Sequence, residues 1–334
     1  MAKIALTGIK PTGTPHIGNY LGMIKPALEL VQSYRTIYFI ADYHALTTER
    51  DPEKLNRQIC EVAGTWLALG LDPEKVVFFR QSDIPEVFEL TWILACLTAK
   101  GLLNRAHAYK AAVEENIRQG KETDNNINAG VFNYPVLMAA DILLFGTHVV
   151  PVGQDQKQHL EIARDIASGF NSHYGKVFMI PEALIRRDVM SIPGVDGRKM
   201  SKSYGNTIPI FADEKFVRKQ VMRIVTDSKP PEAPKDPETC NLFSIYRHFA
   251  SPEAIAEMRM IYLKGGARYS DIKNRLTELL IEKFKEGRRS YEALMQDEKA
   301  IKRILKQGAV AAREIATPVL AKVRRSVGID RAEL

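Results

Sequence analysis

Cysteine is scarce, with three in 334 residues: Cys60, Cys96 and Cys240. They are too widely spaced for a metal cluster and too few for a disulfide framework. That argues against structural zinc and casts all three as buried thiols in a reducing compartment. Long apolar runs are missing too. No stretch approaches the roughly 20 residues that a membrane span needs. The chain also opens on a strand-like run, without the charged and apolar regions of a leader peptide. A cytoplasmic protein with no membrane association is expected. There is no internal repeat, which sets aside solenoids and propellers.

What is present suits a globular protein of one large domain or two ordinary ones, with 45% hydrophobic residues for a core. Net charge is +7, and its distribution is uneven. Residues 1–210 carry 22 basic and 22 acidic side chains, whereas residues 211–334 carry 25 and 18. A neutral half beside a basic half suggests small substrates in the first and a polyanion, most simply nucleic acid, at the second. A solvated lysine-rich helical surface has the same composition.

The most informative stretch is Ile4-Ala-Leu6-Thr-Gly8-Ile-Lys10-Pro11-Thr12-Gly13-Thr-Pro15-His16-Ile-Gly18-Asn19. It reads as strand, glycine turn and helix start, with Thr14-Pro15 as N-cap and first helical residue. Ile17, Leu21, Ile24, Leu28 and Val31 then share one helical face. Pro26 falls inside that pattern, so a kink or break is expected near Gly22. A turn of low bulk aimed at a helix N-terminus lets an anion, most simply phosphate, approach unpaired backbone N–H groups. Glycines alone would equally suit tight packing of a βα turn.

Further along, 36–44, an apolar run ending in the polar groups Asp42 and His44, and 75–81 read as buried strands, followed by helices opening at Asp51-Pro52 and Ile84-Pro85. This alternation predicts a parallel sheet with crossover helices, an α/β fold. Residues 101–130 are polar and read as a mobile surface connection holding Lys110. A helix over about Tyr134–Phe145 carries Met138 and Asp141 on one face, and leads to a strand over His148–Val152. That strand ends in Gly153-Gln154-Asp155-Gln156, at the end where open α/β sheets bind ligands. Lys176–Ile180 reads as the last strand. It is followed by a loop running from Val189 to Lys199-Met200-Ser201-Lys202-Ser203. From about Asp213 the pattern is helical.

His16-Ile-Gly-Asn19 after the first strand and Lys199-Met-Ser-Lys-Ser203 after the last resemble the two signatures of class I aminoacyl-tRNA synthetases, in the right order. Gly8-Ile-Lys-Pro-Thr-Gly13, Leu137-Met-Ala-Ala-Asp141 and Val150-Pro-Val-Gly-Gln-Asp-Gln156 are most similar to the tryptophanyl branch, and the resemblance covers nearly the whole chain. It implies ATP-dependent ligation of L-tryptophan to tRNA(Trp) through a tryptophanyl-adenylate, with pyrophosphate released and Mg²⁺ on the ATP phosphates.

The implied catalytic residues are His16, Asn19, Lys199, Ser201 and Lys202. Lys10, Pro11, Thr12, Gly18, Asn19, Gly153, Gln154, Asp155, Val189, Lys199, Met200, Ser201, Lys202 and Ser203 would surround ATP. Leu6, Gly8, His44, Tyr134, Met138, Asp141, Val150, Val152 and Gln156 would surround tryptophan, with the Asp141 carboxylate accepting from the indole N–H. Phosphoryl transfer needs charge stabilisation more than a general base, which suits these donors and cations. One departure is Lys10, where many bacterial members carry glutamine at a position facing both amino acid and ATP.

The resemblance also implies a Rossmann-like catalytic domain over 1–208 and a helical tRNA (anticodon)-binding domain over 209–296. A C-terminal helix over 297–334 would return to the first domain. The implied partners are tRNA and a second copy in a homodimer, with no DNA. The basic residues Arg288, Arg289, Arg324 and Arg325 are expected on the tRNA face. Two other readings have the same fold, a tyrosyl enzyme and an inactive synthetase-like RNA-binding protein. The tyrosyl enzymes typically carry tyrosine where this chain has Leu6, which cannot pair with a buried phenol. The intact Lys199–Ser203 loop argues against inactivity. A nucleotidyltransferase sharing the His-x-Gly-x signature does not explain the basic helical region.

Overall fold

Thr36 to Ile40 are buried without exception, as a strand covered on both faces requires. In this computed structural model, which describes residues 2–153, 157–185 and 192–330, they form the second of five strands. These are β1 (Ile4–Ile9), β2 (Arg35–Ile40), β3 (Val77–Arg80), β4 (Val149–Val152) and β5 (Glu182–Ile185). All pair in parallel, in the order β3-β2-β1-β4-β5. The Rossmann-like α/β sheet expected from the alternation is what the chain builds. β1 sets Leu6 opposite Ile37 and Gly8 opposite Phe39, and on its other side Ala5 faces Val149 of β4. Sheet growth therefore reverses at β1, so the crevice beyond the carboxyl ends of β1 and β4 is the topological switch point, where such sheets bind ligands.

Strand alternation splits the core in two. Ile37 and Phe39 pack with helices Glu86–Ala95, Ala129–Leu143 and Lys157–Tyr174. Tyr38 and Ile40 pack with Pro52–Ala68 and with helices beyond residue 213. Helix Glu298–Val327 lies along β3 and also touches Pro52–Ala68 and Glu86–Ala95. It comes so close at Gly308 that a Cβ there would collide with the backbone of Phe78. Arg313 pairs with Glu86 at 2.6 Å and Arg324 with Glu89 at 2.5 Å, fixing the helix along its length. No helix among the described residues is long and apolar enough to cross a membrane.

Several local expectations change. The first helix is capped by His16 rather than Thr14, because the His16 and Asn19 side chains each accept from the other's backbone N–H. Regular α geometry is interrupted around Gly22, as the proline predicts. One π turn over Tyr20–Ile24 accommodates the proline, with Lys25 N–H donating to Tyr20 O, and α geometry resumes over Lys25–Leu30. The helix carrying Asp141 opens at Ala129, because Asn128 caps it by accepting from Val131 N–H.

Residues 101–130 are not a plain connection. They hold helices Lys100–Leu103 and His107–Arg118, the latter without a buried residue. Its solvated faces give no core periodicity to read. The fifth strand is Glu182–Ile185, not 176–180. The apolar run there anchors Phe178 against Phe170, and its backbone bonds to the Asn171 side chain instead of to a strand. Cys60 and Cys240 are buried, but Cys96 is exposed, at the C-cap of its helix. Arg288 is buried, donating to Ala212 O, and Arg324 grips Glu89, so neither is available as a tRNA-facing cation.

Candidate active site

Two sub-sites meet at the carboxyl ends of β1 and β4. The first is a cavity of about 420 Å³, within the usual range for a small-molecule site. Leu6, Gly8, His44, Tyr134, Met138, Asp141 and Val150 line it, as do Lys10, Phe39, Ala41, Thr47, Thr48, Ala108, Val131 and Ile142. The Phe39 ring lies so close to Gly8 that a Cβ on that residue would displace it. Val152 is buried in the adjoining apolar cluster and is not on the wall, because it sits one repeat further along β4 than Val150. Gln154, Asp155, Gln156 and Val189 lie outside the described residues.

Asp141 is 2% exposed in this mainly apolar cavity. His44 Nε2 lies 2.9 Å from its Oδ2, and Gln81 Nε2 donates to Oδ1 and Oδ2 at 2.8 and 2.9 Å. Burial raises the carboxyl's pKa, and the contacts from His44 and Gln81 oppose that rise. The carboxylate is thus already partnered, yet with about four acceptor directions it can take one more donor. Gln81 is a residue that motif reading missed. The signal was there, a polar side chain closing a buried strand at its carboxyl end.

The Lys10 side chain lines this cavity. Its Nζ donates to Thr47 Oγ1 at 3.1 Å and Thr48 Oγ1 at 3.4 Å, and burial lowers its pKa. The cavity therefore has a carboxylate on one wall and a cation on another, suited to a zwitterion whose side chain carries an N–H. Tyr134 reaches His159 by a hydrogen bond between Oη and Nε2.

The second sub-site is the glycine turn. Gly13 has φ +86°, a left-handed conformation that glycine adopts without strain. Gln58, with its amide oriented to satisfy both neighbours, donates to Pro11 O at 2.9 Å and accepts from Gly13 N at 3.3 Å. The segment after the Lys199–Ser203 loop docks here. Ile17 N donates to Ile208 O at 3.0 Å and Ile210 N to Pro15 O at 3.2 Å. Met200 is buried, its sulfur close to the open side of Gly18.

Lys202 Nζ then donates to Thr12 O at 2.9 Å and Gly13 O at 2.6 Å, closing the loop over the turn. Burial lowers its pKa to about 8, with the Glu61 charge opposing. His16 is lowered to about 4, first by burial and then by the Lys202 charge, so it is neutral at pH 7 and free to accept on Nδ1. Lys199 and Ser203 are exposed, Ser201 half-buried, and Thr12 exposed at the rim beside half-buried Asn19 and Gly153. Asn206, absent from the motif reading, pins the loop. Its side chain accepts from Ser201 N at 2.8 Å and donates to Lys199 O at 3.1 Å and Asp196 Oδ1 at 2.7 Å. A Cβ on Gly194 would overlap it. The arrangement can hold an amino acid beside a phosphate chain, with cations able to swing between carbonyls and phosphate.

Sequence and structural relatives show the family to which the chain belongs. Residues 2–285 match the family of class I tRNA synthetases (W and Y). A tryptophan–tRNA ligase of Pseudomonas aeruginosa is 51% identical over 331 residues, covering 97% of this chain and 73% of that protein. One from Neisseria meningitidis is 48% identical over 330 residues, covering 98% of each. The structure resembles that of the Campylobacter jejuni tryptophanyl-tRNA synthetase complexed with ADP and tryptophan. The TM-score is 0.90 and the identity 46%, covering 97% of this chain and 99% of that one. With its parallel sheet, its two signature motifs brought together and relatives of this similarity over nearly full length, the chain belongs to the class I tRNA synthetases, in the tryptophan–tRNA ligase family.

Proposed function

We propose that the cavity binds L-tryptophan with its indole N–H donated to Asp141, that ATP lies along the glycine turn, and that the two react at the ends of β1 and β4. The chain is a tryptophan–tRNA ligase. Its reaction joins the tryptophan carboxylate to the α-phosphate of ATP, expels pyrophosphate, and passes the acyl group to the terminal ribose of tRNA(Trp). The observation that carries the site assignment is a buried acceptor, Asp141, in an apolar cavity that opens beside a turn closed by Lys202.

His16 and Asn19 hold the first turn of the helix, and Lys199 and Lys202 supply positive charge to the phosphates. Ser201 and Ser203 are placed to donate from the same loop. Mg²⁺ bound to the nucleotide would add positive charge at the phosphates, beside the charge that Lys199 and Lys202 supply. Lys10 faces the amino-acid carboxylate. Leu6 on the wall favours tryptophan over tyrosine, since a buried phenol would find no partner there.

Residues 1–208 act as the catalytic domain, 209–296 carry the tRNA-binding surface, and the terminal helix braces the sheet. Phe88 and Trp92, exposed one turn apart on helix Glu86–Ala95, are an apolar patch that a homodimer would cover. Asp141→Ala tests the central assignment. The KM for tryptophan is expected to rise at least roughly tenfold and discrimination against phenylalanine to fall, while the KM for ATP changes little. Unchanged tryptophan kinetics in a folded variant would make Asp141 structural.

A further inference from the structure

We infer that Gln81, which lies off the cavity wall, sets the selectivity of the amino-acid cavity for a side chain bearing an N–H, by holding the Asp141 carboxylate as an oriented acceptor. This rests on the assignment of Asp141 to the indole. Gln81 is fully buried at the carboxyl end of β3. Its amide spans two elements, accepting at Oε1 from Tyr43 N at 3.2 Å and donating through Nε2 to both Asp141 oxygens at 2.8 and 2.9 Å. Turning the amide over would set oxygen against carboxylate and N–H against N–H, so its orientation is fixed. The same bond to Tyr43 fixes the turn that presents His44, the other donor to Asp141.

The count of lone pairs gives Gln81 its role. An ionised carboxylate accepts in about four directions. Gln81 fills two and His44 one, leaving one for the substrate. Without Gln81 the carboxylate would be free to rotate. It would also keep a single protein donor in surroundings where burial already favours the neutral acid. A protonated Asp141 presents an O–H as well as acceptors, and an O–H repels an indole N–H.

The other ionisable groups around Asp141 do not take over this function. Lys10 and Tyr134 line the same cavity but bond to Thr47, Thr48 and His159. On the far side of Gln81, Asp42 is held by Ser82 and lies 3.9 Å from Arg80. Gln81 is therefore a positioning residue, acting on the substrate through Asp141.

The test compares tryptophan with benzothienylalanine, which has sulfur in place of the indole N–H. ATP–pyrophosphate exchange is measured for the wild type, Gln81→Met and Asp141→Ala. Methionine keeps the length of glutamine and removes its donors. The ratio of kcat/KM for the two amino acids is expected to fall roughly 10- to 100-fold in Gln81→Met, the scale for hydrogen bonds to a charged group. The loss lies in the KM for tryptophan, with the KM for ATP unchanged, and it recovers as rising pH ionises Asp141. Partial unfolding lowers both substrates together and leaves the ratio intact. If Gln81→Met is inactive in exchange, calorimetric binding of the same two amino acids reads the same ratio. An unaltered ratio in Gln81→Met, with a collapsed one in Asp141→Ala, overturns the inference alone. An unaltered ratio in both overturns the indole assignment beneath it.

Discussion

Replacing Asn206 by alanine probes how the Lys199–Ser203 loop is held. The Asn206 side chain, 1% exposed, bonds the backbone on either side of Met200: it accepts from Ser201 N at 2.8 Å and donates to Lys199 O at 3.1 Å. Its third bond goes to half-buried Asp196, which keeps Arg198 as a partner, so it is left out of the sum. Two backbone bonds at about 1 kcal/mol each give about 2 kcal/mol of loop ordering. That corresponds to a roughly thirtyfold drop in the closed population relative to open loops. Lys202 reaches Thr12 and Gly13 only from the closed loop, so kcat for ATP–pyrophosphate exchange is expected to fall about 10- to 30-fold. The KM for tryptophan is expected to hold, because its cavity is built from β1, β2, β4 and helix Ala129–Leu143. A melting curve like that of the wild type would show that only the loop had loosened. Exchange within about twofold of wild type, or a KM for tryptophan that rises in step, would refute the reasoning.

Lys202→Ala removes one charge-stabilising group and is expected to lower activation by roughly 10² to 10³ with little change in tryptophan affinity. In the wild type, the lowered pKa of Lys202 makes its cationic fraction decline as pH rises through about 8, so kcat/KM for ATP should fall above that pH and Lys202→Ala should lose the dependence. The same lowering means the fold binds fewer protons than the unfolded chain, so this group adds stability as pH rises from 8 and none is lost there. The inward-facing arginines give a contrast. Arg324→Ala is expected to lower thermal stability, whereas Arg289→Ala, exposed beside Glu286, should weaken tRNA binding and flatten its salt dependence without touching adenylate formation. Equal damage to both steps in both variants would point to a folding defect instead.

The sheet was legible in the sequence because continuous apolar runs such as Ile37–Ile40 leave no other use for their side chains. A short polar side chain before a proline marked the cap at Asp51-Pro52 but misled at Thr14-Pro15, where His16 is the cap. The reading failed where one signal has two uses. Lys176–Ile180 is apolar because Phe178 needs a partner on the neighbouring helix, and propensity cannot tell that anchor from a strand. Pro26 did mark an interruption near Gly22, but nothing on the apolar face tells a π turn from a kink or a break.

In the site, residues inside the two motifs and the Leu137–Asp141 stretch could be named in advance because the chemistry dictates their types. Gln81 and Asn206 could not, since each acts through a partner distant in sequence, Asp141 and the Ser201 backbone. Lys10 was read as facing both the amino acid and ATP, from its position in the glycine turn. Its long side chain crosses to Thr47 and Thr48 on the amino-acid side, a direction only the fold reveals.

The most direct test of the account is ATP–pyrophosphate exchange by the purified chain with each of the twenty amino acids in turn. Exchange that depends on tryptophan, with tyrosine and phenylalanine lower by roughly 10² or more, is the expected result. Exchange driven equally well by tyrosine, or none with tryptophan in a folded preparation, would contradict it.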